Sequence, residues 1–140
     1  MEESIEIMHN KKVAPDVFLM GLRSLNISKA ASPGQFVMIR VSKSIDPLLR
    51  RPLSICGVLD SELILVLYRV AGRGTALMAE MRPGQRMSVL GPLGSGFRLP
   101  NKDKTPILVA GGMGIAPLFC LSQFLKGRDS GCSIDFRRLR

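Results

Sequence analysis

The residues best equipped for chemistry are Arg51-Pro52-Leu53-Ser54, followed one strand-length later by Tyr68-Arg69-Val70-Ala71-Gly72-Arg73-Gly74-Thr75. Pro52 restricts Arg51 to extended backbone. Arg51 and Leu53 therefore leave the strand on one face, and Pro52 and Ser54 on the other. An arginine fork donates two parallel hydrogen bonds to a phosphate, and Ser54 offers a small donor and acceptor for a heteroaromatic edge. Downstream, Gly72 and Gly74 permit close backbone approach. Thr75 is read as the cap of a short helix over 75–81, whose free N–H groups and dipole favour an anion. The two segments suit a large anionic cofactor laid along a sheet edge, its pyrophosphate at the helix start. Taken singly, each has a plainer reading: a surface arginine pair on an edge strand, and a glycine-rich turn before a capped helix.

A second loop, Gly111-Gly112-Met113-Gly114, follows the apolar stretch 106–110 and opens a helix running from 115 or 116 to 125. Pro117 suits that helix's first turn, where its missing N–H costs nothing. A buried strand, a glycine loop and a helix in this order form the start of a nucleotide-binding half. The spacing departs from G-x-G-x-x-G and implies a looser dinucleotide clamp. The alternative is that these glycines serve packing alone.

The elements that must hold these loops are short. The first hundred residues alternate strands with turn signals, as in a small barrel or sandwich. Strands are expected over 4–14 and 16–23 around Pro15, then over 35–41, 52–59, 62–70 and 86–90. In the second, Val17, Leu19 and Gly21 share one face, and Phe18, Met20 and Leu22 the other. The run Leu63-Ile64-Leu65-Val66-Leu67 implies burial on both faces, and Asp60-Ser61 before it reads as a hairpin turn. Pro33-Gly34-Gln35 recurs as Pro83-Gly84-Gln85, each time ahead of a strand, as reused turn chemistry. Met78, Met81 and Met87 read as core, His9 as a solvated strand residue, and residues 101–104 as a polar linker. Near Pro100 the chain divides into a barrel domain, 1–100, and the beginning of an α/β domain, 101–140.

Composition narrows the function classes. The 140 residues suffice for one well-packed domain, and 46% hydrophobic against 22% charged residues describes a folded chain. A net charge of +9 asks for an anionic partner. No Lys/Arg run exceeds two residues and aromatics make up only 5%, so a nucleic-acid stacking platform is absent. No secretory signal is evident in Met1-Glu2-Glu3-Ser4. The three cysteines, Cys56, Cys120 and Cys132, are odd in number and widely spaced. They fit a reducing, cytoplasmic setting and supply no metal box, with Cys56 and Cys120 read as inert core thiols. Residues 105–125 carry no charge, but Pro106, Gly111, Gly112, Gly114 and Pro117 argue for strand, turn and helix instead of a membrane span.

Together these motifs resemble the ferredoxin reductase-like superfamily, and more closely the electron transfer subunit of the B-type dihydroorotate dehydrogenases. The resemblance covers roughly residues 5–125. It rests on Pro33-Gly34-Gln35-Phe36-Val37, Arg51-Pro52-Leu53-Ser54-Ile55, Leu67-Tyr68-Arg69, Gly72-Arg73-Gly74-Thr75, Gly91-Pro92-Leu93-Gly94 with Gly96-Phe97, and Gly111-Gly112-Met113-Gly114-Ile115-Ala116-Pro117. Leu53, where many reductases carry an aromatic residue, and the doubled Arg50-Arg51 favour the dihydroorotate branch. The resemblance implies a Greek-key antiparallel FAD-binding β-barrel followed by the first strand, loop and helix of a nicotinamide-binding α/β domain. Arg51, Pro52, Leu53 and Ser54 would line the flavin and its phosphates, Leu67, Tyr68 and Arg69 the adjoining strand. Gly74 and Thr75 would hold the pyrophosphate, and Gly111, Gly112 and Gly114 the dinucleotide.

The family passes electrons between NAD and FAD, then through a 2Fe-2S cluster to an FMN-bearing catalytic subunit that oxidises dihydroorotate in pyrimidine (UMP) biosynthesis. This chain has no closely spaced cysteines after Cys132, and residues 105–140 are about one βαβ unit. The expectation is accordingly a truncated or frame-shifted tail, with no catalytic residue of its own. Two other readings stand beside it. One is the flavoprotein subunit of a sulfide dehydrogenase or NADPH:ferredoxin oxidoreductase; the other is a non-catalytic remnant whose lone strand lacks sheet neighbours.

Overall fold

A computed structural model describes residues 1–42, 46–99, 101 and 106–128. Residues 102–104 of the expected linker, the boundary at Pro100, Cys132 and the tail from 131 lie outside the described residues. Six strands, β1 (Glu2–Ala14), β2 (Val17–Arg23), β3 (Phe36–Arg40), β4 (Arg51–Leu59), β5 (Leu63–Arg69) and β6 (Arg86–Leu93), close in the order β1-β2-β5-β4-β3-β6. Every neighbouring pair is antiparallel. This is the expected Greek-key barrel, with β6 returning to β1 through Glu2↔Leu90 to Glu6↔Arg86.

Alternation fills the interior. Ile5 and Ile7 (β1), Met20 and Leu22 (β2), Val37 and Ile39 (β3), Ile55 (β4), Ile64, Val66 and Tyr68 (β5), and Met87 and Val89 (β6) form one cluster. Helix α1 (Leu25–Ala30), which the sequence reading did not anticipate, adds Ile27 to that cluster. Ser24 caps α1 by accepting from the Ile27 amide at 3.0 Å, and the Ser28 hydroxyl donates to the Ser61 carbonyl at 2.6 Å. Helix α2 (Arg73–Glu80) lies across the barrel end, with Met78 fully buried and Met81 packed against the core. It begins at Arg73, two residues before the expected start, with Gly72 as N-cap.

The second face of β5 is buried too, as its unbroken apolar run requires. Leu65 joins Cys56 and Ala116 in an outer cluster, flanked by Leu19, Leu67 and Phe119. That cover comes from α3 (Ile115–Arg128), which packs on β4. α3 begins at residue 115, so the uncharged stretch 105–125 is not one helix. No described helix is long and apolar enough to cross a membrane.

The strand expected over 106–110 is not formed. Those residues are in no sheet, and Ile107 is 87% and Val109 70% exposed. A strand buried on both faces needs neighbours on both sides, and the six barrel strands pair among themselves and leave no open edge.

The repeated turn is one device used twice. Gly34 and Gly84 have φ of 93° and 85°. The Gln35 side-chain oxygen accepts from the Ser32 amide at 2.8 Å, and that of Gln85 from the Arg82 amide at 2.7 Å. Proline presets the first turn position, and glycine supplies the positive φ of the second. The segment after β6 folds back onto the first turn: the Gln35 side-chain Nε2 donates to the Gly94 carbonyl at 2.7 Å and the Phe97 backbone amide to the Pro33 carbonyl at 2.8 Å.

Candidate functional site

The two halves of the motif meet in space. Leu53 turns inward and packs against the barrel core, so Arg51, on the same face, projects at the barrel end where α2 lies. Its guanidinium rests on the backbone of Gly74. A methyl group there would stand 2.8 Å from Nη2 and 2.9 Å from Cζ, so the contact requires glycine. Arg51 Nη1 donates to the Leu49 carbonyl at 2.7 Å. That anchor leaves the Nε/Nη2 edge beside the first turn of α2, whose amides have no partners within the helix. Thr75 lies inside this turn and not at the cap. Its Oγ1 accepts from the Ala71 and Gly72 amides at 2.9 and 3.2 Å and donates to the Gly72 carbonyl at 3.0 Å. Thr75 thus holds the chain entering the helix in the curve that exposes the next amides.

The adjacent arginine does different work. Arg50 donates to Met38 and Ser88 carbonyls and to Ser88 Oγ, and pairs with Glu2 at 2.5 Å. It ties β1, β3 and β6 together. Ser88 and Arg50 hold the Glu2 carboxyl below its usual range. Arg73 pairs with Asp46, which links the start of α2 to the loop before Arg50.

On the outer face of β4 and β5 lies an open cleft of about 360 Å³. Pro52, Leu53, Ser54, Leu67, Tyr68 and Arg69, all six named from sequence, line it. Sequence reasoning missed Ala71, Met113 and Ala116, which complete the wall. All three lay inside the quoted motifs, Ala71 between Arg69 and Gly72 and Met113 and Ala116 in the stretch 111–117, but none was singled out as a site residue. Tyr68 borders the cleft but its side chain is 1% exposed. The ring stacks on Phe18 with centroids 5.6 Å apart, and the hydroxyl donates to Asn10 Oδ1 at 2.9 Å. Burial pushes its phenol up to about 12 against the opposing Asn10 bond, so what Tyr68 can offer a ligand is backbone.

Gly111, Gly112 and Gly114 stand on the cleft's far rim, in the single 3₁₀ turn Gly112–Gly114 and the residue before it. Among the described residues, a methyl group on any of the three would meet no heavy atom within 4 Å. Only Gly112, with φ of 53°, needs glycine for its backbone. The loop borders the space in front of the β5 face and faces open solvent.

Cys56 and Cys120 are free and buried. Burial raises both thiols, that of Cys120 to about 11 with a further contribution from Cys56. Among the described residues no three His, Cys, Asp or Glu side chains gather to hold a metal. His9 is half-buried, not solvated: its ring lies over Gly21, with Nε2 2.8 Å from where a methyl group would stand.

No protein-family model matches the chain. The curated "Dihydroorotate dehydrogenase B (NAD(+)), electron transfer subunit" of Lysinibacillus sphaericus strain C3-41 is 39% identical over 130 residues, covering 91% of this chain and 50% of that protein. Its counterpart in Bacillus cereus strain B4264 is 41% identical over 128 residues, covering 89% and 49%. The chain spans about half the length of the curated relatives it matches. Among solved structures, an NADH-dependent reduced ferredoxin-NADP oxidoreductase superposes with a TM-score of 0.79 at 33% identity, covering 89% of this chain and 45% of that one. Phthalate dioxygenase reductase, at 21% identity over 91% of this chain and 40% of that one, shares the fold with a TM-score of 0.74. The resemblance drawn from the motifs is borne out in sequence and in fold.

Proposed function

We propose that this homologue of the dihydroorotate dehydrogenase B electron transfer subunits binds FAD, with the flavin in the β4–β5 cleft and the pyrophosphate at the start of α2. The observation that carries the reading is the seating of the Arg51 guanidinium on Gly74. It brings a phosphate-binding fork and a helix N-terminus to one point, beside a cleft walled by Pro52, Ser54, Leu67 and Arg69. The residues fit the group: apolar walls for a ring, Ser54 for a polar ring edge, and cations and amides for phosphates.

Bound FAD would supply the hydride and single-electron chemistry. The chain's own residues bind and orient it. Arg51 and the first-turn amides of α2 would neutralise the pyrophosphate, and Thr75 would hold those amides in place. Leu67 and Met113 would shield the ring from water. Gly111, Gly112 and Gly114, facing open space in front of the ring, would admit a nicotinamide dinucleotide there. In domain terms, residues 1–100 form the FAD-binding barrel and 101–140 begin the NAD-binding part. The whole protein would pass electrons between NAD(H) and, through a 2Fe-2S cluster, an FMN-bearing subunit that oxidises dihydroorotate. The buried free thiols support a reducing, cytoplasmic setting. No step is assigned to a cluster on the described residues, which bring together no ligand set for one.

A second reading, the flavoprotein subunit of an NADPH:ferredoxin oxidoreductase, is favoured by the 33% identity to the NADH-dependent reduced ferredoxin-NADP oxidoreductase. Both readings need FAD in the same place. The test is the visible spectrum of the gently purified chain, with the released flavin identified. Bound FAD, lost in Arg51→Ala, is the expected result. A colourless, folded protein that takes up no added FAD would sink both readings.

A further inference from the structure

Asn10 stands where three elements of the cofactor site converge. Its Nδ2 donates to the Met78 and Met81 carbonyls at 2.8 and 3.0 Å, and its Oδ1 accepts from the Tyr68 hydroxyl at 2.9 Å. Both amide hydrogens and the oxygen are used, and the network fixes which way the amide points. The last turn of α2 carries no basic residue, so the Asn10 amide meets the negative end of the helix in place of a cation. A register shift in β1 between Ile7 and His9 puts Asn10 in this position. Strict alternation would continue Ile5 and Ile7 inward with His9; the bulge instead leaves His9 over Gly21 and turns Asn10 to the barrel end.

We infer that Asn10 is a positioning residue for the cofactor. It fastens the C-terminus of α2 to Tyr68, and so sets the distance between the phosphate-binding helix start and the cleft that β5 lines. The inference rests on the FAD reading above. Each partner alone has another anchor: Met78 is buried in the core and Tyr68 stacks on Phe18. Asn10 joins them to each other, by polar bonds with defined lengths where apolar packing would allow sliding.

Asn10→Asp in the full chain tests this, with FAD and riboflavin as probes. The substitution keeps the acceptor for Tyr68 and replaces the double donor with an oxygen facing two carbonyls. FAD affinity should fall about tenfold at pH 8, the equivalent of one lost hydrogen bond. Riboflavin, which lacks the pyrophosphate, should bind within about twofold of wild type. On acidification the protonated carboxyl regains one donor, and FAD affinity should recover in part. Asn10→Ala should lose FAD affinity with no such recovery, and it stands in if the aspartate variant does not fold. Tyr68 is the only tyrosine and the chain has no tryptophan, so its fluorescence reports whether the interior is intact. Wild-type FAD affinity in both variants, or equal losses of FAD and riboflavin, would overturn the positioning role. Failure of the wild-type chain itself to take up FAD would instead overturn the reading on which the role rests.

Discussion

Gly74→Ala separates the stability of this fold from its proposed ligand binding. Gly74 lies in the first turn of α2, and its φ is outside the left-handed region, so alanine suits the backbone. Helix propensity alone would favour alanine by up to about 1 kcal/mol. The added methyl, however, would stand 2.8 Å from Arg51 Nη2 and 2.9 Å from Cζ, closer than carbon and nitrogen approach, so the guanidinium must move. Its bond to the Leu49 carbonyl is lost or bent, at a cost of about 1 kcal/mol. These two effects roughly offset, and the melting temperature of the apo protein should change little. FAD affinity should fall with the displacement, because a charge-assisted hydrogen bond to phosphate is worth about 1.5–3 kcal/mol, or ~10–150-fold in Kd. The assay is FAD titration followed by flavin fluorescence, on wild type, Gly74→Ala, Arg51→Ala and the double variant. Acting through one contact, the two changes together should cost no more than Arg51→Ala alone. Wild-type affinity in Gly74→Ala, or fully additive losses in the double variant, would refute the argument.

Other expectations follow from burial and backbone geometry. Tyr68 should titrate near pH 12 in the folded chain, read at the tyrosinate absorbance band, against about 10 once unfolded. Because the unfolded chain then loses its proton first, stability should fall as pH rises from about 10 to 12; a native titration near 10 would contradict the buried hydroxyl. Burial beside Gly21, with Lys11 adding to it, lowers His9. The unfolded chain therefore binds the proton more readily, and stability should decline as pH falls below about 6.5. His9→Gln should flatten that part of a urea-midpoint profile, and an unchanged slope would count against it. Gly34→Ala combines a φ of 93° with Phe97 Cδ2 at 2.8 Å, and should cost about 2 kcal/mol or more. A urea midpoint equal to wild type would show that the turn and the 91–97 segment can part without penalty.

Much of the barrel was legible because each strand satisfies its two faces locally. In β2, Met20 and Leu22 go in while Leu19 goes out, and in β5 the unbroken apolar run matches a core on one side and α3 on the other. The residues around the cleft were legible because Pro52 fixes the local backbone, Gly74 leaves room for a close neighbour, and the arginine fork has a distinctive donor geometry. What escaped was set by tertiary partners. Residues 106–110 have the pattern of a buried strand, but pattern does not supply a sheet. α1 is one short turn-and-a-half whose Ser24 cap is held by Glu3, Ser24 Oγ donating at 2.5 Å, and whose Ser28 is held by the β4–β5 turn. Asn10 looked like one more polar residue of a strand, since the bulge that turns it inward has no local signature. Arg50 and Arg51 are adjacent and chemically identical, yet alternation sends one to the β1–β6 seam and the other to α2.

The seam between β1 and β6 also governs how the chain can acquire its shape. Glu2 to Glu6 pair with Arg86 to Leu90, and β2 pairs with β5 across roughly half that sequence separation. The β1–β2 hairpin can form as soon as its residues exist, but one of its edges has no partner until β6 has been made. Contacts of such long sequence separation are slow to form, on the order of milliseconds to seconds. During that interval β1 presents Ile5 and Ile7 and an unpaired row of amides and carbonyls, the combination most prone to pairing with a neighbouring chain. The finished barrel has no free strand edge, so pairing through the open edge of β1 is confined to synthesis and refolding. Yield should therefore depend on chain concentration during folding far more than on the stability of the folded product.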